Sequence, residues 1–192
     1  MKLIIITLIV LLYLICLVLF AIGVEQVFHL ILGKAPSLAS QNKLREAALQ
    51  QIARDSSDAK TIIDIGSGWG GLAREIARRF PNARVYGAEL FPMPYLYSKL
   101  RGIFFKNTKF VLGNAFKFMK NQNFDIGITY LLPEQMAQVQ EYHKHFKMLI
   151  VIDFPLPDAQ PVRKIKLHRD ILGQHWIFVY DLRDAKREIR NA

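Results

Sequence analysis

The residues best suited to chemistry in this chain lie in one short run, Ile62-Ile63-Asp64-Ile65-Gly66-Ser67-Gly68-Trp69-Gly70-Gly71-Leu72-Ala73, followed at a distance by a second acid, Glu89. A β-branched segment that enters closely spaced glycines and then a helical pattern reads as strand, tight turn and helix. A turn without Cβ atoms lets a ligand lie against bare backbone at the carboxyl edge of a sheet. Asp64 closes the strand, where a carboxylate attracts an ammonium group and repels a phosphate. Glu89 closes a second strand, where an acid can accept hydrogen bonds from both hydroxyls of a ribose.

The glycines alone leave the ligand open, because Gly66, Gly68 and Gly71 also satisfy G-x-G-x-x-G, the dinucleotide fingerprint. The alternative without a ligand is a turn that merely packs a helix on a strand. Asp64 favours S-adenosylmethionine, whose methionine part carries an ammonium, over a pyrophosphate. Only about a hundred residues follow Glu89, little room for the second catalytic domain that many dehydrogenases carry.

The elements that must position these residues alternate along the chain. Leu44, Ala48 and Ile52 mark an amphipathic helix over 37–54, and Thr61 to Ile65 is a buried strand. Leu72, Ile76, Ala77 and Phe80 predict a helix, Arg84 to Ala88 a strand, Leu96, Leu100, Ile103 and Phe104 another helix, and Lys109 to Leu112 a strand. Phe124 to Tyr130 is a fourth strand, closed by Pro133 at a first helical position, and Leu132, Met136, Val139 and His143 line one helical face. Met148 to Ile152 is a fifth strand, and Val162 to Leu167 with Trp176 to Tyr180 form a closing hairpin. Such alternation implies an α/β fold with a mainly parallel sheet covered on both faces.

Ahead of this pattern stands Leu3 to Gly23, without a charged residue and, at ~1.5 Å per residue, roughly 30 Å long as a helix. A transmembrane anchor is expected. A cleaved signal peptide is the competing reading, through Ala21-Ile22-Gly23, but the apolar stretch exceeds the usual ~7 to 15 residues and Lys2 is the only charge before it. Val24 to Leu32 and the breaker Gly33-Lys34-Ala35-Pro36 read as a juxtamembrane linker, which divides the chain into an anchor and linker, 1–33, and a catalytic domain, 34–192. Lys34, Lys43 and Arg45 follow the apolar segment, which favours a single-pass protein with its C-terminal domain in the cytoplasm, at a bacterial inner membrane or, in a eukaryote, the mitochondrial inner membrane. Cys16, inside the apolar segment, is the only cysteine, so no disulfide framework points to an oxidising compartment.

The net charge of +10 belongs entirely to the part after residue 33. Lys99, Arg101, Lys106, Lys109, Lys117 and Lys120 fall between Leu90 and Phe124 with no acid among them, and Arg163, Lys164, Lys166 and Arg169 form a second cluster. Beside an anchor this suits an anionic membrane surface. A solvated face is the bland alternative. No motif of a nucleic-acid reader accompanies the charge, so no nucleic-acid partner is expected. His143 and His145 point about 200° apart on a helix, and no metal site is expected.

Asp64-Ile65-Gly66-Ser67-Gly68 with Gly70 resembles motif I of class I S-adenosylmethionine-dependent methyltransferases. The wider pattern resembles the small membrane-anchored protein-lysine N-methyltransferases related to the ATP synthase c-subunit lysine methyltransferase. The blocks that carry this resemblance are Ala88-Glu89-Leu90-Phe91-Pro92 with Tyr97-Ser98-Lys99, Pro133-Glu134-Gln135-Met136, Phe154-Pro155-Leu156-Pro157 and Val179-Tyr180-Asp181. The resemblance implies a Rossmann-like seven-stranded class I methyltransferase sheet, mainly parallel with a C-terminal antiparallel hairpin, preceded by one transmembrane helix. It also implies that Asp64, Gly66, Ser67, Gly68, Gly70 and Glu89 contact the cofactor, and that the substrates are lysines of membrane-embedded proteins. Asn114 stands where an Asp often meets the adenine amino group, and its amide oxygen can accept the same hydrogen bond. Asp153 stands where a basic residue precedes the Phe-Pro-x-Pro block.

A lysine acceptor must lose a proton, and Glu134, Asp153 and Asp158 are the acids expected to hold it and pass that proton to water. Tyr130, Phe154, Pro155, Trp176 and Tyr180 are expected to line the substrate pocket, the aromatics offering cation–π faces. Their bland readings are core packing for the aromatics, a stiffened loop for the prolines and a turn cap for Asp158. Three function classes stand: a protein-lysine methyltransferase, a methyltransferase for a lipid, quinone or other small membrane-soluble molecule, and a non-catalytic nucleotide-binding module that docks a membrane partner.

Overall fold

The computed structural model describes residues 2–31, 42–170 and 173–183. The chain divides into two compact units, one holding the first helix and the other everything from the second helix onward. In the first, α1 spans Lys2–Ile31, and its stretch Ile4–Val24 is long and apolar enough to cross a membrane. A signal sequence in the same place would meet the same criterion of length and composition. The helix runs through Val24 to Ile31, where a linker was expected, because Glu25, Gln26 and His29 interrupt the apolarity without breaking the backbone pattern. The expected breaker Gly33-Lys34-Ala35-Pro36 and the first part of the expected 37–54 helix lie outside the described residues.

The second unit begins with α2, Asn42–Asp55, and then alternates: β1 Thr61–Ile65, α3 Gly71–Arg79, β2 Arg84–Glu89, α4 Pro92–Gly102, β3 Thr108–Leu112, α5 Ala115–Met119, β4 Phe124–Thr129, α6 Met136–Glu141, β5 Phe146–Ile152, β6 Arg163–Asp170 and β7 Gly173–Asp181. The seven strands form one sheet in the order β3-β2-β1-β4-β5-β7-β6. The first five are parallel, and β7 inserts antiparallel between β5 and β6. This is the expected mainly parallel sheet with its C-terminal hairpin.

Alternate strand residues feed two cores. Ile62, Val85, Ile126, Ile128, Ile150, Ile177 and Val179 face α2 and α3, while Ile63, Ile65, Phe146, Leu149, Val151 and Tyr180 face α5 and α6. Strands buried on both faces read as continuous apolar runs, which is why the central strands were legible. The short α5 gave no periodic signal at five residues; it is held by Asn114, whose side-chain oxygen accepts from the N–H groups of Phe116 and Lys117. The expected helix after β4 is shorter than its pattern, a 3-10 turn at Pro133–Gln135, α6, and a second 3-10 turn at His143–His145.

The expected helix marked by Leu96, Leu100, Ile103 and Phe104 is α4, which ends at Gly102; those four residues are exposed, and the helix buries Pro94, Ser98 and Gly102. The reason is Phe110 of β3. Its ring fills the space against the sheet so closely that a Cβ at Gly102 would come within 2.7 Å of it, and one at Gly87 within 2.6 Å. Only a stripe of small residues lets α4 approach.

Candidate active site

β1 ends at Ile65, and the chain turns through Gly66, Gly68 and Gly70 at φ of 75°, 53° and 69°. These are left-handed conformations that a Cβ would strain. Space is short as well, since a Cβ at Gly66 would meet Leu131 at 2.6 Å and one at Gly70 would meet Ser98 at 2.6 Å. The turn hangs on β2, with the N–H groups of Gly66 and Ser67 both donating to the Ala88 carbonyl. Gly70 caps α3 without a side-chain hydrogen bond, so the first N–H groups of that helix have no side-chain cap at this residue.

A cavity of about 420 Å³ opens beside this turn, a size suited to a small-molecule ligand. Asp64, Gly66, Ser67 and Trp69 form one wall, Gly71, Leu72 and Arg74 of α3 a second, and Arg45 of α2, Tyr97 of α4 and Tyr130 complete it. Arg74 donates to the Trp69 carbonyl at 2.8 Å and lies over the Tyr97 ring, which meets Trp69 edge-on at 5.4 Å. Arg45, Trp69, Arg74 and Tyr97 were not expected in the site. Arg45 follows Leu44 on a helix marked by its apolar stripe, and Tyr97 lies on α4, whose sequence pattern marks a helix without saying which face meets the sheet.

Asp64 is only 4% exposed, and its Oδ2 has no hydrogen-bond partner among the described residues. Burial, and then the charge of Glu89, push its carboxyl up to about 7, against the lesser pull of a hydrogen bond from the Ala73 backbone and of Arg45. Glu89 is also buried, and burial raises its pKa although the N–H groups of Gly68, at 2.7 Å, and Phe91, at 2.9 Å, donate to its two oxygens. Glu89 therefore straps the glycine turn to the end of β2, with lone pairs left for further donors.

The structure brings Asp64, Gly66, Ser67 and Tyr130 together in the cavity wall, with Gly68 and Gly70 in the same turn. The other expected residues lie elsewhere. Asn114 is exposed, and the oxygen expected to meet an adenine amino group is committed to capping α5. Asp153, at φ 67°, accepts from the Trp176 N–H and meets His175 Nδ1 at 2.8 Å, which makes it the clasp between the end of β5 and β7. Asp158 and Gln140 exchange two hydrogen bonds that hold the loop to α6. Glu134 is exposed in the 3-10 turn after β4. None of these three acids is among the described residues that line the cavity.

Tyr180 is buried and its hydroxyl accepts from the Leu156 N–H at 2.9 Å, so it fixes the Phe-Pro-x-Pro loop from beneath. Phe154 packs on the same core while Pro155 is exposed. The Trp176 ring does offer a cation–π face, but Lys164 of the neighbouring strand occupies it at 4.4 Å. Among the described residues no group of three or more His, Cys, Asp or Glu could hold a metal ion.

No family model matches the chain, and no curated protein matches it by sequence. Its fold, however, is that of the class I methyltransferases. The chain is similar to an RNA methyltransferase from Salinibacter ruber solved with S-adenosyl-L-homocysteine, with 17% identity over 75% of this chain and 93% of that one and a TM-score of 0.63. It is similar to a precorrin-6y C5,15-methyltransferase from Geobacter metallireducens, with 14% identity over 76% and 90% and a TM-score of 0.59. A third structure, M. capricolum TrmK with S-adenosyl-homocysteine, gives 16% identity over 70% and 67% with a TM-score of 0.56.

Proposed function

We propose that this chain is an S-adenosylmethionine-dependent methyltransferase, anchored in a membrane by α1, that N-methylates lysine side chains of membrane proteins. The observation that carries the methyltransferase reading is Asp64: a buried carboxylate oxygen without a partner among the described residues, in the wall of a cavity built on a bare glycine turn, within a class I methyltransferase fold. Such an oxygen costs free energy until a cation reaches it. The ammonium of a methionine moiety is a cation of the right size, whereas a pyrophosphate would meet repulsion from both Asp64 and Glu89. Two of the similar solved structures contain the demethylated product of this cofactor.

The residues divide the ligand between them. Asp64 holds the ammonium, Arg45 and Arg74 face the carboxylate of the same zwitterion, and Glu89 fixes the glycine turn and receives ribose hydroxyls. Trp69 and Tyr97 supply aromatic wall. When bound, the cofactor supplies an electrophilic sulfonium methyl, so the task left to the protein is positioning and exclusion of water. Tyr130, at the carboxyl end of β4, borders the acceptor side. An acceptor lysine of pKa ~10.4 must be neutralised at a cost of roughly 4 kcal/mol at pH 7. Glu134 suits that step best, because it is exposed just beyond Tyr130 while Asp153 and Asp158 are committed to internal bonds.

The lysine substrate is supported by the sequence blocks around Glu89, Pro133 and Phe154, and the membrane setting by the apolar stretch Ile4–Val24. Full-length protein incubated with membranes and cofactor bearing a tritiated methyl should label membrane protein, with a methyl mass on lysine. Label found only in extracted lipid would replace the lysine reading with the small-molecule one. No label in either fraction, at saturating cofactor, would refute the enzyme.

A further inference from the structure

α4 is built inside out. Its small residues Pro94, Ser98 and Gly102 face the sheet, and its large apolar residues face away from it, with Leu96 50%, Leu100 56%, Ile103 72% and Phe104 79% exposed. The exposed set recurs at i, i+4 and i+7/i+8, so at about 100° per residue it forms one continuous stripe from the helix into its C-terminal turn. Lys99 and Arg101 fall about 100° to either side of the centre of that stripe, and Lys106 follows in the loop beyond. No acid occurs from Leu90 to Phe124.

We propose that the outer face of α4 docks in the interfacial layer of an anionic lipid bilayer, with Leu100, Ile103 and Phe104 entering the acyl boundary and Lys99, Arg101 and Lys106 meeting phosphate headgroups. An apolar stripe bordered by cations is the pattern of a helix that lies in a membrane plane, because the aliphatic stems of the basic residues remain in the apolar layer while their charges reach the headgroups. The charge decides among occupants. A second copy of the chain meeting this face about a two-fold axis would set the same basic border against itself. An apolar span without charge, such as Ile4–Val24, would leave the border unanswered. An anionic surface satisfies both parts.

Docking on this face also has a consequence for the cavity. Tyr97, which lines the cavity and stacks edge-on with Trp69, is the immediate neighbour of Leu96 on the same helix. The bilayer then holds the helix that closes one side of the cofactor cavity. This deepens the membrane part of the proposed function, and it can fail while the chemistry stands.

The test uses the full chain in a Cys16→Ser background, with a single environment-sensitive fluorophore at Leu100→Cys or, as the control, at Gln138→Cys, an exposed position of α6 on the opposite face of the sheet. Each protein is placed in phosphatidylglycerol-rich bilayers containing nitroxide-labelled lipid and, separately, in phosphatidylcholine alone. The expected result is quenching several-fold stronger at 100 than at 138 in the anionic bilayer, reduced in phosphatidylcholine and returned to the control level by Leu96→Gln with Phe104→Gln. Flotation of the protein with the bilayer reads the anchor separately. A protein that floats with equal quenching at both positions overturns the docking face and leaves the anchor. Failure to associate with anionic bilayers overturns both. A label at 100 that is shielded from water yet unquenched, together with a doubled mass in detergent, assigns the face to a second copy and overturns the proposal as well.

Discussion

Asp64 couples the cavity to pH. Its carboxyl is pushed up to about 7 from 3.8, first by burial and then by Glu89. A carboxyl whose folded pKa is raised contributes stability that is complete below the unfolded value and is lost as pH rises through the folded one. The ligand-free protein should therefore lose stability between about pH 4 and pH 7, as the unpartnered charge is forced on the cavity wall. Cofactor binding should run the opposite way, because its ammonium needs the ionised form. Affinity is expected to rise up to about tenfold per unit as pH approaches 7 from below and then to level off. Asp64→Asn should weaken binding by roughly ten- to a hundredfold, the loss of a charge-assisted hydrogen bond of ~1.5 to 3 kcal/mol, and abolish the pH slope. Titrations at several pH values check both, and a slope that survives in Asp64→Asn would assign it to another group. At this scale one wall of the cavity was legible in the sequence, since Asp64 and the glycines are adjacent in the chain. Arg45, Arg74 and Tyr97 arrive from three helices, and only the folded topology brings them together.

The elements explain both the success and the failure of periodicity. Central strands announce themselves because both their faces are buried, but α4 carries two stripes of period near 3.6, one large and apolar and one small. Hydrophobicity alone does not say which stripe meets the sheet when a residue of another element fills the inner space. Here that residue is Phe110, set against Gly70, Gly87 and Gly102 from three different segments. Gly87→Ala would place a Cβ 2.6 Å from the Phe110 ring and 3.0 Å from Ser67 Oγ. It is expected to lower stability by about 1–3 kcal/mol through overpacking, and Gly87→Ala with Phe110→Leu should cost less than the sum of the two single changes. Denaturant unfolding of the four proteins measures this, and strict additivity would mean that the ring and the glycine do not define one packing unit. Asp153 and Asp158 illustrate the converse problem. Their acidity suggested chemistry, but strand and loop geometry assign them to the Trp176 N–H and to Gln140, and nothing in their spacing revealed those partners.

At the scale of the whole molecule, the alternation of strands and helices was enough to foresee a mainly parallel sheet, and the resemblance implied its seven strands and the antiparallel hairpin at its end. The apolar stretch of α1 was equally plain, being set by composition alone. What composition and alternation do not specify is which side chains surround the cavity, and therefore which ligand it accepts. Calorimetric titration of the full-length protein, in detergent near pH 7.5 where Asp64 is largely ionised, with S-adenosylmethionine, S-adenosylhomocysteine and NADH addresses it without any assumption about the acceptor. Saturable binding of both adenosyl ligands, with none for NADH and a marked loss in Asp64→Asn, is the predicted result. NADH binding of comparable affinity, or adenosyl-ligand binding indifferent to Asp64→Asn, would contradict it.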